Sequence, residues 1–283
     1  MTLAALGDLL EDVIVRFDGP VNVASDTPAR ISRRRGGSAA NVVVAAAGLG
    51  HSARFLGQVG SDAIGSALLA EMTADGVDVA MVRRAGSTGT IVALVDQAGE
   101  RSMLTDRRTC IDLSDPDPSW LDGVGTLHVP LYSLATAAVA TTAITVIGWA
   151  HDRSIDVSID VSSSAVIRDL GIDRVYRLIA HLSPDLILAN LDEATTMRID
   201  GAVGSAVTIV KQGPAPAVVH SPNEPSVQVP GRGLADVGDT TGAGDAFAAG
   251  FLTYTGGWRS DPVAACESGH RCAAALLTSR AGR

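Results

Sequence analysis

A three-layer α/β fold, with a mostly parallel central sheet and a small extra β-sheet, is predicted by three observations. Beyond residue 124, strand and helix patterns alternate down the chain. Residues 38–49 are almost uniformly apolar, which suits a helix buried on all sides. Residues 239–251 pass from a Gly-rich turn directly into a helix-forming segment. The 283 residues, 46% of them hydrophobic, suffice for one large domain over 1–283. Aromatics make up only 4%, which suits a sheet covered by small-residue helices.

The elements follow in order. Residues 2–7 read as a short buried strand ending at Gly7-Asp8. After the apolar helix at 38–49, residues 53–58 form a strand, and 64–74 an amphipathic helix stopped by Gly76. Strands near 79–84, 90–95 and 101–105 are joined by Gly-containing turns. Strands at 125–129, 155–159, 185–189 and 206–211 alternate with helices at 135–151 and 164–181. Residues 217–220 and 226–229 read as a hairpin, and helices at 243–255 and 261–278 complete the pattern. Two stretches, about 13–35 and 80–112, are strand-like without intervening helices. They are expected to pair as a small sheet projecting beside the cleft, as a lid or a dimer surface.

Composition excludes several classes. A net charge of −9 leaves no basic footprint for nucleic acid, and Arg33-Arg34-Arg35 is too local to supply one. Three cysteines (Cys110, Cys266, Cys272) lack metal-site spacing and read as reduced thiols of a cytoplasmic protein. Apolar runs are short, and the N-terminus reads as a first strand, so neither a leader peptide nor a membrane partner is expected. Lys211 is the only lysine among 22 basic residues, so phosphate chemistry here cannot use a Walker lysine or an upstream protein-kinase lysine, and backbone amides, arginine and metal are expected to neutralise charge.

The chemistry concentrates at 239–251. The turn Gly242-Ala243-Gly244 before a helix leaves backbone N–H groups aimed at one point, where the helix dipole adds positive potential. Asp245 beside such an anion site is electrostatically odd unless it handles a proton there. Four other segments fall at predicted C-terminal strand ends, where open α/β sheets place ligands. They are Gly7-Asp8 with Asp12, Gly36-Gly37 through Asn41, Asn190 through Glu193, and Lys211-Gln212-Gly213. Asp12 also reads as a solvated turn residue, and Asn190 with Glu193 as a helix cap.

With these segments in that order, the chain resembles the ribokinase-like (PfkB) family of carbohydrate and nucleoside kinases over essentially its whole length. The carriers are Gly36–Gly50, Gly57–Gly65 and Asp239–Phe251. The resemblance implies ATP-dependent phosphorylation of a hydroxyl on a small sugar. It makes Asp245 the catalytic base and Gly242, Ala243 and Gly244 the anion hole for the moving phosphoryl group. Asp12, Gly36, Gly37 and Asn41 become the sugar-binding set. Asn190 and Glu193 organise Mg²⁺ through water, and Asn190, Lys211 and Gly213 lie on the nucleotide side with Gly242 and Gly244. Asp239 and Thr241 match positions that bind a monovalent cation such as K⁺ in many relatives. Tyr132, after a strand, stands where many sugar-binding relatives carry an acid, and the connection over 194–205 is short for the family.

Substrate choice is expected to lie in the lid. A neutral ribose- or fructose-like sugar is the central expectation. Arg101, Arg107 or Arg108, if turned inward, would favour a 2-keto-3-deoxy sugar acid or a sugar phosphate, and Arg107 is taken as substrate-binding. A nucleoside (adenosine-like) kinase and a non-catalytic sugar-binding regulator are the alternatives. A homodimer through the lid is also expected, given the apolar strand at 90–95.

Overall fold

A computed structural model describes residues 1–97, 100–233 and 240–281. The elements in chain order are β1 (Thr2–Leu6), β2 (Leu10–Phe17), β3 (Ala29–Gly36), α1 (Ser38–Gly48), β4 (Ala53–Leu56), β5 (Gln58–Val59), α2 (Ala63–Ala74), β6 (Arg83–Arg84), β7 (Thr90–Val95) and β8 (Arg101–Asp106). They continue with β9 (Val124–Pro130), α3 (Tyr132–Ala135), α4 (Ala137–Asp152), β10 (Asp156–Asp160), α5 (Ser164–Leu170), α6 (Ile172–Leu182), β11 (Leu186–Asn190), α7 (Leu191–Met197), β12 (Val207–Lys211), β13 (Ala217–His220), β14 (Val227–Val229), α8 (Ala243–Leu252) and α9 (Pro262–Ala281).

Among the described residues, eight strands form the main sheet in the order β14-β13-β12-β11-β10-β9-β1-β4. From β12 to β4 every pairing is parallel, and β13 and β14 add an antiparallel edge. Two cores flank the sheet. Alternate residues of β1 separate them: Ala4 and Leu6 join the side covered by α4 to α7, whereas Leu3 and Ala5 join the side covered by α1, α2, α8 and α9. This is the three-layer arrangement predicted from the alternation of elements. The chain leaves β1 towards β4 and later returns to β9 on the other side. The strand order therefore reverses between β1 and β9, which opens a crevice at their C-terminal ends.

The second sheet has the order β3-β2-β7-β8 and draws on both stretches that lacked helices. Its register puts Asp12, Ile14, Arg34, Ala93 and Arg101 on one face, and Val13, Val15, Ile31, Val92 and Leu104 on the other. Ile14, Ala93 and Val95 form a small core of their own.

Several predicted boundaries shift, each for a local reason. The strand at 53–58 is two strands, broken at Gly57, where a side chain would strike the Gly7 carbonyl and the Phe55 ring. Of the strand near 79–84 only Arg83–Arg84 remains, because Val82 N–H closes a turn onto Val79. The helix predicted at 135–151 runs nearly whole as α4, with Thr136 at its N-cap and the short α3 before it, whereas that at 164–181 divides at Gly171. The last-but-one helix ends at Leu252, three residues before the predicted stop, where Thr253 folds its hydroxyl back to Ala249. Asp12 lies inside β2 and not in a turn after β1. No helix among the described residues is long and apolar enough to cross a membrane.

His128 in β9 is fully buried among the strands, with Nδ1 3.1 Å from Ser158 Oγ and Nε2 without a partner among the described residues. Burial lowers its pKa to about 4; the Asp160 charge opposes this and Lys211 assists it. A folded pKa below the unfolded value, about 6.5, means the unfolded chain takes up the proton first as pH falls. Stability from the neutral ring is complete above pH 6.5 and declines down to pH 4. A loss of about 2 kcal/mol between pH 7 and pH 5 is expected from this group. Urea unfolding at both pH values should show it, and His128→Phe should flatten that slope.

Candidate active site

The site forms where α1 and α8 bring their N-termini together. Both helices start on glycine, Gly37 at φ 107° and Gly242 at φ 78°, and neither start carries a side-chain cap. At Gly37 a side chain would also collide with the Asp8 carbonyl, so the turn admits only glycine. Gly36 lies so close to the Asp12 carboxylate that a Cβ there would strike it. In the first turn of α8, Ala243 N–H bonds the Thr240 carbonyl and Ala246 N–H bonds that of Gly242. The Gly244 and Asp245 N–H groups between them have no backbone acceptor among the described residues.

Asp245 spans the two helices. Ser38 Oγ donates to its Oδ1 at 2.7 Å, and Asn41 Nδ2 donates to its Oδ2 at 2.9 Å. Burial pushes its pKa up; the two hydrogen bonds oppose this, and the neighbouring Asp160 charge adds to it. One edge of the carboxylate is thus fixed, and the group still faces a cleft of about 830 Å³.

That cleft brings together most of the sequence-predicted residues: Thr241 through Asp245, Asn190, Glu193, Lys211 and Gly213. Asn190 caps α7 in a reciprocal box. Its Oδ1 accepts from Glu193 N–H at 2.9 Å, while the Glu193 carboxylate accepts from Asn190 N–H at 2.8 Å and from Nδ2 at 2.7 Å. The helix-cap reading of this pair is therefore realised. Burial, with the charge of Asp160, pushes Glu193 up to about 7. Lys211 Nζ donates to Asp160 Oδ2 at 2.7 Å. Burial alone would lower the lysine pKa, but Asp160, with Glu193 and Asp245 beyond it, outweighs that and raises it.

The remaining predicted residues sit beside this cleft. Arg107 Nε donates to Asp8 Oδ2 at 2.7 Å and its guanidinium lies 4.5 Å from the Tyr132 ring centre. Arg34 Nε stands 3.5 Å from Asp12 Oδ2. Arg101 reaches from the edge of the small sheet to the Thr241 hydroxyl, and Arg108 pairs with exposed Asp106. Asp239 lies outside the described residues. Among the described residues no group of three or more His, Cys, Asp or Glu is arranged to hold a metal directly.

Sequence reasoning missed four residues. Ser38 was readable as part of the glycine-opened helix, but nothing local pointed it at Asp245. Asp160 carries a signal, a carboxylate ending a parallel strand, yet its partner Lys211 lies 51 positions away. Phe247 and His270, stacked edge-to-face at 5.2 Å, line the far end of the cleft from α8 and α9.

The chain matches the pfkB family of carbohydrate kinases over residues 2–283 and belongs to that family. Its class of activity is that of a sugar or nucleoside kinase. No protein of curated function matches the sequence. Among solved structures it is similar to adenosine kinase from Sinorhizobium meliloti, with TM-score 0.82 and 23% identity, covering 98% of this chain and 93% of that one. It is also similar to an uncharacterized sugar kinase from Pyrococcus horikoshii in complex with ATP, with TM-score 0.80, 24% identity and coverages of 98% and 92%. A third is fructokinase from Halothermothrix orenii, with TM-score 0.78, 21% identity and coverages of 96% and 98%.

The capping box makes a stability prediction. Asn190→Ala should cost about 1 kcal/mol through the lost cap, read from the urea midpoint. A change below 0.3 kcal/mol would show that the box contributes nothing to the fold.

Proposed function

We propose that this protein transfers the γ-phosphoryl group of ATP to a hydroxyl of a small sugar, with Asp245 as general base. The observation that carries the reading is the position of Asp245. It follows the Gly242 turn, is tied to α1 by Ser38 and Asn41, and faces the cleft that holds Asn190, Lys211 and Gly213. The Pyrococcus horikoshii relative, solved in complex with ATP, supports the choice of nucleotide. In the step, the acceptor O–H bond breaks as its oxygen bonds to the γ-phosphorus. The bond to the ADP oxygen breaks, and the proton passes to the Asp245 carboxylate. Such a transition state is loose and highly charged, so placement and charge neutralisation dominate.

Gly242, Ala243 and Gly244 hold the moving group with backbone N–H donors. Asp12, Gly36, Gly37, Asn41 and Arg107 form the acceptor side. Asn190, Lys211 and Gly213 serve the nucleotide phosphates, and Phe247 and His270 face its base. Asn190 and Glu193 fit Mg²⁺ through its water shell. Each Glu193 oxygen already accepts from Asn190 and keeps a lone pair for water. When bound, Mg²⁺ neutralises phosphate charge. Thr241 and Asp239 are assigned to a monovalent cation such as K⁺. The site of action is the cytoplasm.

A sugar fits the acceptor side better than a nucleoside. Tyr132, one of the aromatic residues lining the cleft, already carries the Arg107 guanidinium on its ring. Arg34 beside Asp12 adds positive charge, which favours a sugar acid or sugar phosphate over a neutral sugar. A homodimer would form on the outer face of the small sheet, where Ile31 is 63% and Leu104 59% exposed.

Asp245→Asn is expected to lower kcat by about 10²–10⁴ while ATP affinity, measured by calorimetry, stays within threefold. Retention of near-full kcat would remove Asp245 from the mechanism. ADP release against neutral sugars, sugar acids, sugar phosphates and nucleosides should single out one sugar class; turnover with nucleosides alone would reverse the substrate assignment. Light scattering should give a dimer mass that Leu104→Glu halves, and a monomeric parent protein would refute the interface.

A further inference from the structure

We infer that Lys211, held in place by Asp160, is the side-chain cation that meets the phosphoryl group in transit, and that Asp160 is its positioning residue. The inference rests on the kinase reading above and extends it to a residue pair.

The geometry begins with the sheet. Asp160 ends β10, and Lys211 ends β12, with β11 between them. The register aligns Asp160 with Leu188 and Lys211 with Asn190, so the lysine side chain must cross β11 to reach the carboxylate. Asp160 is also anchored on its other oxygen, where Oδ1 accepts the Ser162 N–H at 2.8 Å. Its Oδ2 takes Nζ at 2.7 Å.

An ammonium carries three donors. Among the described residues Asp160 is the only hydrogen-bond partner of Nζ, so one donor is accounted for. The side chain lines the cleft with 13% of its surface exposed. Its head lies against the phosphate turn: a Cβ built on Gly244 would sit 3.5 Å from Nζ. A compact cation therefore stands at the turn that presents the free Gly244 and Asp245 N–H groups, on the nucleotide side of the base. Glu193 and Asp245 are close enough to raise its proton affinity, so it stays charged. No other lysine exists in the chain to take this role.

A purely structural ion pair is the competing account. Buried pairs add little net stability, and removing one partner leaves an uncompensated charge. A structural pair would therefore change the unfolding midpoint and leave the chemistry alone. A cation that meets the transferring group does the reverse. It favours ATP over ADP, and it acts on kcat more than on the KM for ATP.

The test uses Lys211→Met, Lys211→Arg, Asp160→Asn and the Asp160→Asn/Lys211→Met double variant in the full chain. Calorimetric affinities for ATP and ADP are measured with each, and kcat and KM with the best acceptor. Lys211→Met should lower kcat by about 10²–10³. It should weaken ATP at least tenfold and ADP less than threefold. Lys211→Arg should recover part of both losses. Asp160→Asn should lower kcat about tenfold with little change in the KM for ATP, and the double variant should be no worse than Lys211→Met alone. Equal losses of ATP and ADP affinity, a kcat within threefold of the parent, or additive effects in the double variant would overturn the inference. If Lys211→Met does not fold, Lys211→Arg and Asp160→Asn carry the same comparison. If the parent protein phosphorylates no acceptor, the kinase reading fails. The ATP-to-ADP affinity ratio still tests Lys211 on its own.

Discussion

The hydrogen bonds from Ser38 and Asn41 to the Asp245 carboxylate are the constraint around which the rest of the cleft is arranged. They join residues 207 and 204 positions apart and tie the first helix of the chain to its last-but-one. A partly buried carboxylate needs donors, and both come from the opening turn of α1. That requires α1 and α8 to run side by side with their N-termini level. Small residues make the approach feasible: Ala39, Ala40, Ala248 and Ala249 are all buried in the shared core. The glycines before each helix then turn the chain away without blocking the space in front of Asp245.

The same cleft shows how an acidic protein can arrange charge locally. The net charge is −9, and Asp160, Glu193 and Asp245 all lie at the cleft. Local arrangement offsets this. Glu193 is raised to about 7 and shares its carboxylate with Asn190, Asp160 is matched by Lys211, and two helix N-termini contribute their dipoles. Fields inside a cleft follow the nearest groups and the walls around them, and net charge governs behaviour at longer range.

The small sheet bears on both ends of this arrangement. Near its root, Asp12 packs against Gly36 and pairs with Arg34. At its edge, Arg101 touches Thr241 just before the Gly242 turn. One face of one sheet thus reaches both the Gly36 turn and the Gly242 turn. Arg107, by contrast, is held by Asp8 and Tyr132.

The sequence by itself determined the alternation of elements, and with it the parallel sheet and the two flanking layers. Burial periodicity and glycine placement are local properties. It also marked the glycine turns at 36–37 and 242–244, because a left-handed or sterically crowded backbone leaves few other residue choices. The split at Gly57 was not legible, because it depends on the Gly7 carbonyl and the Phe55 ring packed against it, which propensity summed along a window does not contain. The break at Gly171 is local, a glycine at φ 84° with open space around it. Only the tertiary structure decided the partners. Ser38 and Asn41 meet Asp245, Asp160 meets Lys211 across an intervening strand, and Arg107 is committed to Asp8. These pairings join side chains 51 to 207 positions apart. They follow from strand order and helix packing, which fix distances that the linear spacing of residues does not encode.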